Sequence, residues 1–456
     1  MHKLPLATLA ASLQLLAFAQ LAQAPAAPPA HPTGPPGAAS RPATAPPQLT
    51  LLKAARLIDG RSNTPREGVA LLIEGDRIRE IGDPAALARK APAARVVDLG
   101  SATLLPGLID AHTHVLLQGD ITQADYDEQI LKQSTPYRAI LATANARTAL
   151  GNGFTAMRDL ETEGAMYADV DLKMAIERGA VPGPRMFVAT RAFAPTGMYP
   201  LLGYSWELKM PEGVQITDGP DNLRKAVREE AKYGADWIKF YSDRRYFLTD
   251  DPKRPLRSWV NYTDEEMQAL VGEAHRIGKK VAAHAIGWDG IDASLRAGVD
   301  SIEHGDGLTD DLLERMAAKG VYWCPTIYVG AYVAEGRGGI WPRMVQLEKE
   351  AFGRALAKKV RIAYGTDAGG YAWTENQAKE LSFMVRYGMT PMAALQSATR
   401  VASELLGQEK NFGTLEAGKL ADVIAVEGDI LSDISQAERV RFVMKGGAIF
   451  RNDLAK

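Results

Sequence analysis

Five residues that can ligate a metal ion each stand at or just after the end of a short apolar run. His112 and His114 close the first such run, His284 and His304 close two later ones, and Asp367 closes the last. Side chains alternate between the two faces of a strand, so residues 112 and 114 point the same way and can hold one ion between them. Ligand-type residues at the carboxyl ends of successive strands are typical of the catalytic rim of a (β/α)8 barrel. The sequence therefore predicts a metal site on an α/β barrel.

The alternative interpretation is that these are ordinary core histidines. The chain has seven histidines, of which His2 and His31 lie in the N-terminal tail. His275 falls in a helical pattern over residues 264–275, where a surface position is the simpler interpretation. The remaining four all stand at strand ends, which chance placement seldom produces. A metal site is therefore favoured for those four, and a structural position for His275.

Lys239 is a less obvious candidate ligand. The pattern over residues 234–241 predicts a strand with Lys239 at its end, between the strands of His114 and His284. A protonated ammonium repels metal ions, but burial lowers the pKa of a lysine, and the neutral amine reacts with carbon dioxide to give a carbamate. The two carbamate oxygens suit a pair of metal ions about 4 Å apart. On spacing alone, a lysine that reaches solvent or pairs with a carboxylate is an equal alternative.

Composition favours small-molecule chemistry. The chain has 456 residues, 46% of them hydrophobic, which is enough to bury a large core. Its formal net charge is −2 and its charges are interspersed, so we expect neither a nucleic-acid partner nor binding to an anionic membrane. Cys324 is the single cysteine and no nucleophile motif accompanies it, so we interpret it as buried packing.

The N-terminus resembles a secretory signal. Residues 4–21 are mostly apolar, and small-x-small sites occur at residues 17–19 and 22–24. We predict a signal peptide over residues 1–24, a Pro/Ala-rich linker over residues 25–48, and a secreted or periplasmic protein. A merely disordered alanine-rich tail is the alternative. No later apolar run reaches the roughly 20 residues needed to span a bilayer, so we expect no membrane segment.

Strand patterns at both ends flank an alternation of strands and helices. Residues 51–58, 68–73 and 95–98 near the start, and 418–426 and 440–450 near the end, have strand patterns. Between them, eight strand segments alternate with helical segments, and the first of these strands covers residues 104–111. We therefore predict a β-domain from residues 49–104 and 412–456 and a barrel over residues 105–411.

With these residues in this order, the chain resembles the amidohydrolase superfamily of metal-dependent hydrolases. The resemblance covers nearly everything after residue 50. It implies a distorted (β/α)8 barrel with a small β-sandwich domain built from both chain ends. It also implies two Zn²⁺ ions per chain, held by the residues that match the dinuclear pattern of the family: His112, His114, carboxylated Lys239, His284, His304 and Asp367.

The resemblance also implies a role for each ligand. The histidines at 112 and 114 and Asp367 would hold one ion, the two later histidines the other, and the carboxylated lysine would bridge them. A metal pair lowers the pKa of a bridging water and polarises the scissile carbonyl. Asp367 would take the proton of this water and pass it to the leaving amine, so hydrolysis needs no serine or cysteine nucleophile.

Segments around Lys239, 262–266 and 274–284 are similar to a branch of zinc carboxypeptidases and Xaa-Pro dipeptidases. This branch also contains bacterial amidohydrolases that hydrolyse ochratoxin A, which the whole chain resembles. Its members commonly carry histidines in two stretches where this chain has Ile286 and Met198-Tyr199. We therefore predict that Ile286 and Met198, with Tyr199, surround a bulkier, more apolar substrate than a dipeptide. Packing of unrelated loops is the alternative.

We therefore expect a hydrolase of the amide bond of N-acyl or N-aroyl amino acids, with ochratoxin A as the specific candidate. Tyr241, Tyr262, Arg244 and Arg245 are candidates to bind the free carboxylate of the substrate, and Tyr262 matches the family position best. A solvated charged loop explains the two arginines at least as well.

Other activities share parts of this pattern. An Xaa-Pro dipeptidase or a zinc carboxypeptidase with the same metal chemistry is the main alternative. A metal-dependent lactonase would share the barrel. Lys239 argues against a mononuclear deaminase, and the complete ligand set argues against a non-catalytic scaffold. Relatives of this branch are often homo-oligomers, which the resemblance implies here as well.

Overall fold

The structure, a computed structural model, describes residues 48–119, 122–199 and 204–454. The predicted signal peptide and all of the predicted linker except residue 48 lie outside these residues. The strands are β1 (Leu49–Leu57), β2 (Arg66–Glu74), β3 (Arg77–Gly82), β4 (Arg95–Asp98), β5 (Thr103–Pro106), β6 (Leu108–Thr113), β7 (Phe154–Asp159), β8 (Arg185–Val188), β9 (Phe193–Ala194), β10 (Gln215–Ile216), β11 (Trp237–Tyr241), β12 (Asp243–Leu248), β13 (Leu256–Val260), β14 (Lys280–Ala285), β15 (Ser301–His304), β16 (Tyr322–Cys324), β17 (Arg361–Ile362), β18 (Val423–Val426), β19 (Phe442–Lys445) and β20 (Ala448–Asn452).

The helices are α1 (Pro84–Lys90), α2 (Gln123–Lys132), α3 (Thr135–Gly151), α4 (Ala168–Glu177), α5 (Pro220–Tyr233), α6 (Asp264–Arg276), α7 (Trp288–Ala297), α8 (Asp310–Lys319), α9 (Ile327–Arg337), α10 (Trp341–Ala357), α11 (Lys379–Arg386), α12 (Pro391–Gln396) and α13 (Ala402–Leu405). A π-helical turn covers Ser397–Val401, and a 3-10 helix covers Ile434–Arg439. No helix in the described ranges has both the length and the apolar character needed to cross a membrane.

Both chain ends contribute to one sheet. Among the described residues this sheet has eight strands, in the order β20-β19-β18-β5-β1-β2-β3, with β4 paired to β1. β18 joins the C-terminal strands to β5 by antiparallel pairing. Leu52, Leu71, Val423 and Phe442 belong to its apolar core. These pairings describe a single sheet, so the two-layer sandwich stays a prediction.

The other parallel strands lie in two groups. In the described part of the chain, β6-β7-β8 form one sheet and β10-β9-β11-β14-β15-β16-β17 form another. Helices separate most successive strands along the chain, as parallel connections require. Backbone hydrogen bonds link the two groups: Ala111 donates to the Tyr364 carbonyl (2.9 Å), and Asp236 donates to the Val188 carbonyl (2.7 Å). The fold is thus mixed α/β. The strand pairings of the described residues do not form a closed ring, so a closed barrel stays a prediction.

The predicted strand over residues 104–111 is wrong, because the chain crosses between sheets there. β5 pairs with β1 and β18, whereas β6 pairs with β7. A Cβ atom on Gly107, between the two strands, would lie 2.1 Å from Oγ1 of Thr155. Only glycine fits such a close approach.

Two C-terminal strand predictions are also corrected. The segment 440–450 is a hairpin of β19 and β20, because Gly446 and Gly447 both adopt positive φ, 54° and 74°. Paired residues with positive φ favour a tight hairpin turn. The strand predicted over 418–426 begins only at Val423.

The helix predicted over residues 264–275 is present as α6. A capping box starts it: Oγ1 of Thr263 accepts from the Glu266 N–H, and the Glu266 carboxylate accepts from the Thr263 N–H. His275 is exposed on this helix and lies 2.8 Å from Asp300, so it is a surface residue.

Candidate metal centre

His112, His114 and Asp367 come together at the carboxyl end of β6. Donor atoms of these three residues lie within 4.8 Å of one another. Oδ1 of Asp367 is 3.2 Å from Nε2 of His114 and 3.6 Å from Nε2 of His112. The two imidazole ring centroids are 5.4 Å apart. The histidines at 112 and 114 therefore face the same side of β6, and the loop after β17 brings a carboxylate to them.

His284 and His304 lie beside this first cluster. Their ring centroids are 4.6 Å apart, and the His304 ring is 5.0 Å from that of His112. Both residues line a cavity together with His114, Lys239 and Asp367. The structure thus brings all six candidate ligands of the sequence analysis into one region.

Lys239 lies in the middle of β11, not at its end, because the strand continues to Tyr241. Its side chain is buried, with the residue only 1% exposed. Burial lowers the pKa of the Lys239 ammonium, while the charges of Glu303, Glu161 and Asp367 act in the opposite direction. The lowered pKa favours the neutral amine, which is the form that reacts with carbon dioxide.

The donor atoms fit a bound cation. Nε2 of His112 is buried and has no hydrogen-bond partner among the residues that the structure describes. Burial lowers the pKa of His112 to about 4, so the ring is neutral at pH 7, as a metal ligand must be. A divalent cation between His112, His114 and Asp367 would give this nitrogen its missing partner. Imidazole nitrogens with a carboxylate oxygen are a donor set that suits zinc.

His114 shows that the site attracts positive charge. Burial lowers the pKa of His114, but its hydrogen bond to Asp367 and the charges of Asp367, Glu163 and Glu161 raise this pKa to about 10. The proton on His114 therefore lies where the carboxylate stabilises a positive charge. A metal ion in that position would replace the proton.

Two candidate ligands have strained backbones. φ is 69° at His304 and 59° at Asp367, in the left-handed region that is costly for residues other than glycine. The N–H of Asp367 donates to the His112 carbonyl (2.8 Å). The neighbouring Thr366 donates through Oγ1 to buried Asp110 (2.6 Å). These bonds hold the Asp367 carboxylate against β6.

A cavity of about 600 Å³ opens onto the candidate centre. Three of the predicted substrate-binding residues, Tyr241, Arg244 and Ile286, line it. The guanidinium carbon of Arg244 lies 4.7 Å from the ring centroids of both Tyr199 and Tyr241. Nε of Arg244 is buried without a hydrogen-bond partner among the described residues. A cationic group with unused donor capacity therefore faces the cavity.

Met198 and Tyr262, the other two predicted substrate-binding residues, are not among the residues that line this cavity. Tyr262 is 3% exposed and packs in the core beside Phe240, with ring centroids 6.3 Å apart. Met198 lies in a turn that follows Gly197, which has a φ of 75°. The next residue, Tyr199, lines the cavity instead. The local turn geometry decides which residue of this stretch reaches the cavity.

Sequence reasoning missed several carboxylates on or near the cavity. Glu163 lines it and accepts hydrogen bonds from the hydroxyls of Tyr126 (2.9 Å) and Tyr199 (2.5 Å). Asp306 and Glu348 line it as well, and burial raises the pKa of Asp306 to about 7. No spacing rule in the sequence marks these residues. The cavity therefore combines acidic groups with the arginine.

The other ring nitrogens of the histidines also have partners that the sequence analysis missed. Nδ1 of His112 is 2.8 Å from Glu303, Nδ1 of His304 is 2.9 Å from Oγ1 of Thr326, and Nε2 of His284 is 2.7 Å from the hydroxyl of Tyr246. A signal existed for Glu303, since it is a charged residue inside an otherwise buried strand. Buried charges are usually paired.

Comparison with known proteins identifies the family. The sequence profile of the amidohydrolase family matches residues 103–450, well over half of the chain. The chain belongs to the amidohydrolase family. It is a hydrolase, and the candidate metal centre occupies the matched region.

Two relatives are informative for this amidohydrolase. Ochratoxinase of Aspergillus niger is 29% identical over 437 residues, covering 89% of this chain and 87% of that protein. The crystal structure of A. niger ochratoxinase matches with a TM-score of 0.75 and 28% identity, covering 90% of this chain and 96% of that chain. The crystal structure of an Xaa-Pro dipeptidase with bound methionine in the active site matches with a TM-score of 0.77 and 32% identity, covering 89% of this chain and 100% of that chain.

Proposed function

We propose that this amidohydrolase uses two Zn²⁺ ions to hydrolyse the amide bond of N-acyl or N-aroyl amino acids, with ochratoxin A as the specific substrate. The observation that carries the proposal is the convergence of four histidines, a buried lysine and an aspartate in one region, where all of them except His112 line the same cavity. In the proposed fold, the two groups of parallel strands form one (β/α)8 barrel beside a β-sandwich made from both chain ends.

Each ligand has a proposed role. His112, His114 and Asp367 would hold one ion, and the two later histidines the other, with carboxylated Lys239 bridging them. When bound, the metal pair would supply a water of lowered pKa and polarise the scissile carbonyl.

Asp367 is proposed as the proton carrier. Burial raises the pKa of its carboxyl, but the neighbouring imidazoles of His112 and His114 lower it well below the ordinary range. The carboxylate is therefore ionised at neutral pH and can accept the proton of the attacking water. It then donates this proton to the leaving amine nitrogen.

Arg244 is proposed to bind the free carboxylate of the amino-acid part. The guanidinium packs against the rings of both Tyr199 and Tyr241, and planar guanidinium groups bind carboxylates in a bidentate way. The hydroxyl of Tyr241 donates to Glu161 at 2.6 Å. Tyr241 therefore supports the arginine and is not itself the proposed carboxylate donor.

An apolar wall supports an aromatic acyl or amino-acid side chain. Ile286, Val329, Val333 and Trp341 line the cavity. Each Å² of apolar ring surface that they cover stabilises the complex by about 25 cal/mol. The similarity to ochratoxinase supports ochratoxin A as the substrate. The similarity to an Xaa-Pro dipeptidase supports Xaa-Pro dipeptides, or carboxypeptidase activity, as the alternative.

A release assay tests the proposal. The zinc-loaded protein is incubated with ochratoxin A, N-benzoyl-phenylalanine and a series of Xaa-Pro dipeptides, and kcat/KM is compared. We expect the aroyl-phenylalanine amides to be cut most efficiently. A preference for Xaa-Pro dipeptides would establish the alternative, and no amide cleavage with two ions bound would refute the proposed reaction.

Export and self-association complete the proposal. We propose that the predicted signal directs the protein out of the cytoplasm, and that it assembles as a homo-oligomer. The mass of the protein recovered from the periplasm or the medium tests removal of the signal. Light scattering of the same sample tests the assembly.

A further inference from the structure

The candidate ligand histidines are not all held by the same kind of group. His304 and His284 bond through their other ring nitrogens to the neutral hydroxyls of Thr326 and Tyr246. His112 instead meets a carboxylate outside the candidate ligand set, since its Nδ1 lies 2.8 Å from Oε2 of Glu303. Both side chains are 0% exposed, so this contact is shielded from bulk solvent.

A buried arginine holds Glu303. Oε1 of Glu303 accepts from Nη2 of Arg158 (2.9 Å) and from the hydroxyl of Ser301 (2.5 Å). Arg158 in turn donates through Nε to the Ala111 carbonyl (2.5 Å), and its guanidinium lies 4.4 Å from the ring centroid of Trp237. Two donors occupy one carboxylate oxygen, which leaves the other oxygen for His112.

The backbone explains how one strand end supplies two groups to the same histidine. Glu303 and His304 are consecutive, and consecutive side chains of a regular strand point to opposite faces. His304 departs from the strand conformation with a φ of 69°. As a result Glu303 bonds to His112, while the His304 ring lies 5.0 Å from the same imidazole.

We infer, on the basis of the proposed metal centre, that Glu303 is a positioning residue for that centre and that Arg158 holds it in place. Glu303 accepts a hydrogen bond from the Nδ1–H of His112, so the neutral ring keeps its proton on the side away from the centre. Nε2 of His112, which has no partner among the described residues, is then a lone-pair donor directed at the metal.

The decisive variant is Glu303→Gln. Arg158 and Ser301 both donate to the same oxygen, so the glutamine carbonyl must face them and its amide NH₂ must face His112. Nδ1 then has to accept a hydrogen bond, and the ring proton moves to Nε2, where it blocks the metal. Loss of such a partner typically weakens metal binding about 10- to 100-fold. We expect a loss of this size in competition with a graded chelator, together with a changed absorption spectrum of the Co²⁺-loaded protein.

The matched control is Glu230→Gln. Glu230 is also buried and paired with an arginine, Arg191 at 2.6 Å, but it contacts none of the candidate ligands. Its loss should lower stability without changing metal affinity or the Co²⁺ spectrum. If Glu303→Gln does not fold, Glu303→Asp serves instead, since it keeps the charge for Arg158 but withdraws the carboxylate from His112.

Metal binding by the wild type and by the Glu303 variant distinguishes failure of the proposed metal centre from failure of the positioning role of Glu303. A wild-type chain that retains no divalent metal overturns both. The positioning role alone is overturned if the wild type binds metal and a folded Glu303 variant binds it equally tightly, with an unchanged Co²⁺ spectrum. Weakened binding in the Glu303 variant with normal binding in Glu230→Gln supports it.

Discussion

At the residue scale, the centre depends on Lys239 being buried without a fixed ion-pair partner. Its pKa is lowered by burial, while three carboxylates act on it from a distance. No salt bridge to Lys239 is present among the described residues, so the interpretation as a paired or solvent-reaching lysine loses its support. A buried amine beside four histidines and Asp367 is instead suited to carboxylation.

Lys239→Ala should lose most bound metal and most activity. Short carboxylic acids such as acetate and propionate should partly restore both, because they supply the missing bridging oxygens. Lys239→Arg is the matched variant and should not be rescued, since its guanidinium stays charged. The measurements are metal ions per chain and kcat, with and without added acid. Wild-type rates in Lys239→Arg would refute a carbamate role.

Ile286→His should reduce efficiency on aroyl-phenylalanine amides more than on Xaa-Pro dipeptides. Ile286 lines the cavity and is 5% exposed, so a histidine there places a polar ring where apolar surface is buried. Desolvating that ring costs about 1–3 kcal/mol, which corresponds to about 5- to 150-fold in kcat/KM.

Met198→His is the control, because Met198 does not line the cavity. This substitution should leave kcat/KM unchanged for both kinds of substrate. If Ile286→His lowers kcat/KM equally for both kinds of substrate, residue 286 does not determine selectivity. The same conclusion follows if the wild type already prefers Xaa-Pro dipeptides.

At the level of helices and strands, hydrophobic periodicity predicted many of the elements but not which strands pair in the same sheet. Residues 95–98 form β4 as predicted, and α6 starts at the expected residue. The break at Gly107 was not predictable from hydrophobicity, because apolar residues continue on both sides and only the packing against Thr155 requires glycine.

For the candidate site as well, periodicity predicted local positions but not contacts between distant parts of the chain. Strand alternation placed His112 and His114 on one face without any tertiary information. Met198 and Tyr262 do not line the cavity. They stand in a turn and just before a helix start, where no repeating pattern predicts the direction of a side chain. Glu303 and Arg158 were missed because their function depends on contacts between different strands.

Glu273 links two helices, and its loss should have a pH-dependent effect. On α6 it pairs with Arg276 of the same helix (2.5 Å) and Arg228 of α5 (2.6 Å). These hydrogen bonds lower the pKa of Glu273 from 4.5 to about 2. A carboxyl with a lowered folded-state pKa stabilises the fold above its ordinary pKa of 4.5, and this contribution is lost as pH falls toward 2.

Glu273→Gln should therefore be less stable than wild type at pH 7, by no more than about 1 kcal/mol because both arginines are largely exposed. The difference should shrink between pH 4.5 and pH 2. Urea unfolding at pH 7 and pH 3 measures it, with Glu265→Gln on the exposed side of the same helix as control. A difference that grows on acidification would contradict the assignment.

At the scale of the whole molecule, the candidate centre joins parts of the chain that are far apart in sequence. Its residues come from β6, β11, β14, β15 and the loop after β17, so they belong to both groups of parallel strands. Several direct bonds join these groups near the centre, and one of them is the 2.8 Å bond from the Asp367 N–H to the His112 carbonyl. A bound metal would therefore act as an additional cross-link between the two groups.

Metal removal should consequently lower the thermal stability of the entire protein, not only its activity. A ligand that binds the folded state alone stabilises it by about 2.7 kcal/mol when its free concentration is 100 times Kd, so we expect chelation to lower Tm by several degrees and added Zn²⁺ to restore it. Calorimetry at one fixed scan rate measures the shift, since unfolding of a chain this long is often irreversible.

His114→Ala is the matched variant for this measurement. Its bound metal and turnover should fall by orders of magnitude while the fold survives, because a change at the rim leaves the core untouched. The Tm of His114→Ala should therefore respond to chelation much less than that of the wild type. If chelation strips the metal from the wild type and leaves its Tm unchanged, metal binding does not favour the folded over the unfolded chain, and the proposed cross-link between the two groups of strands is refuted.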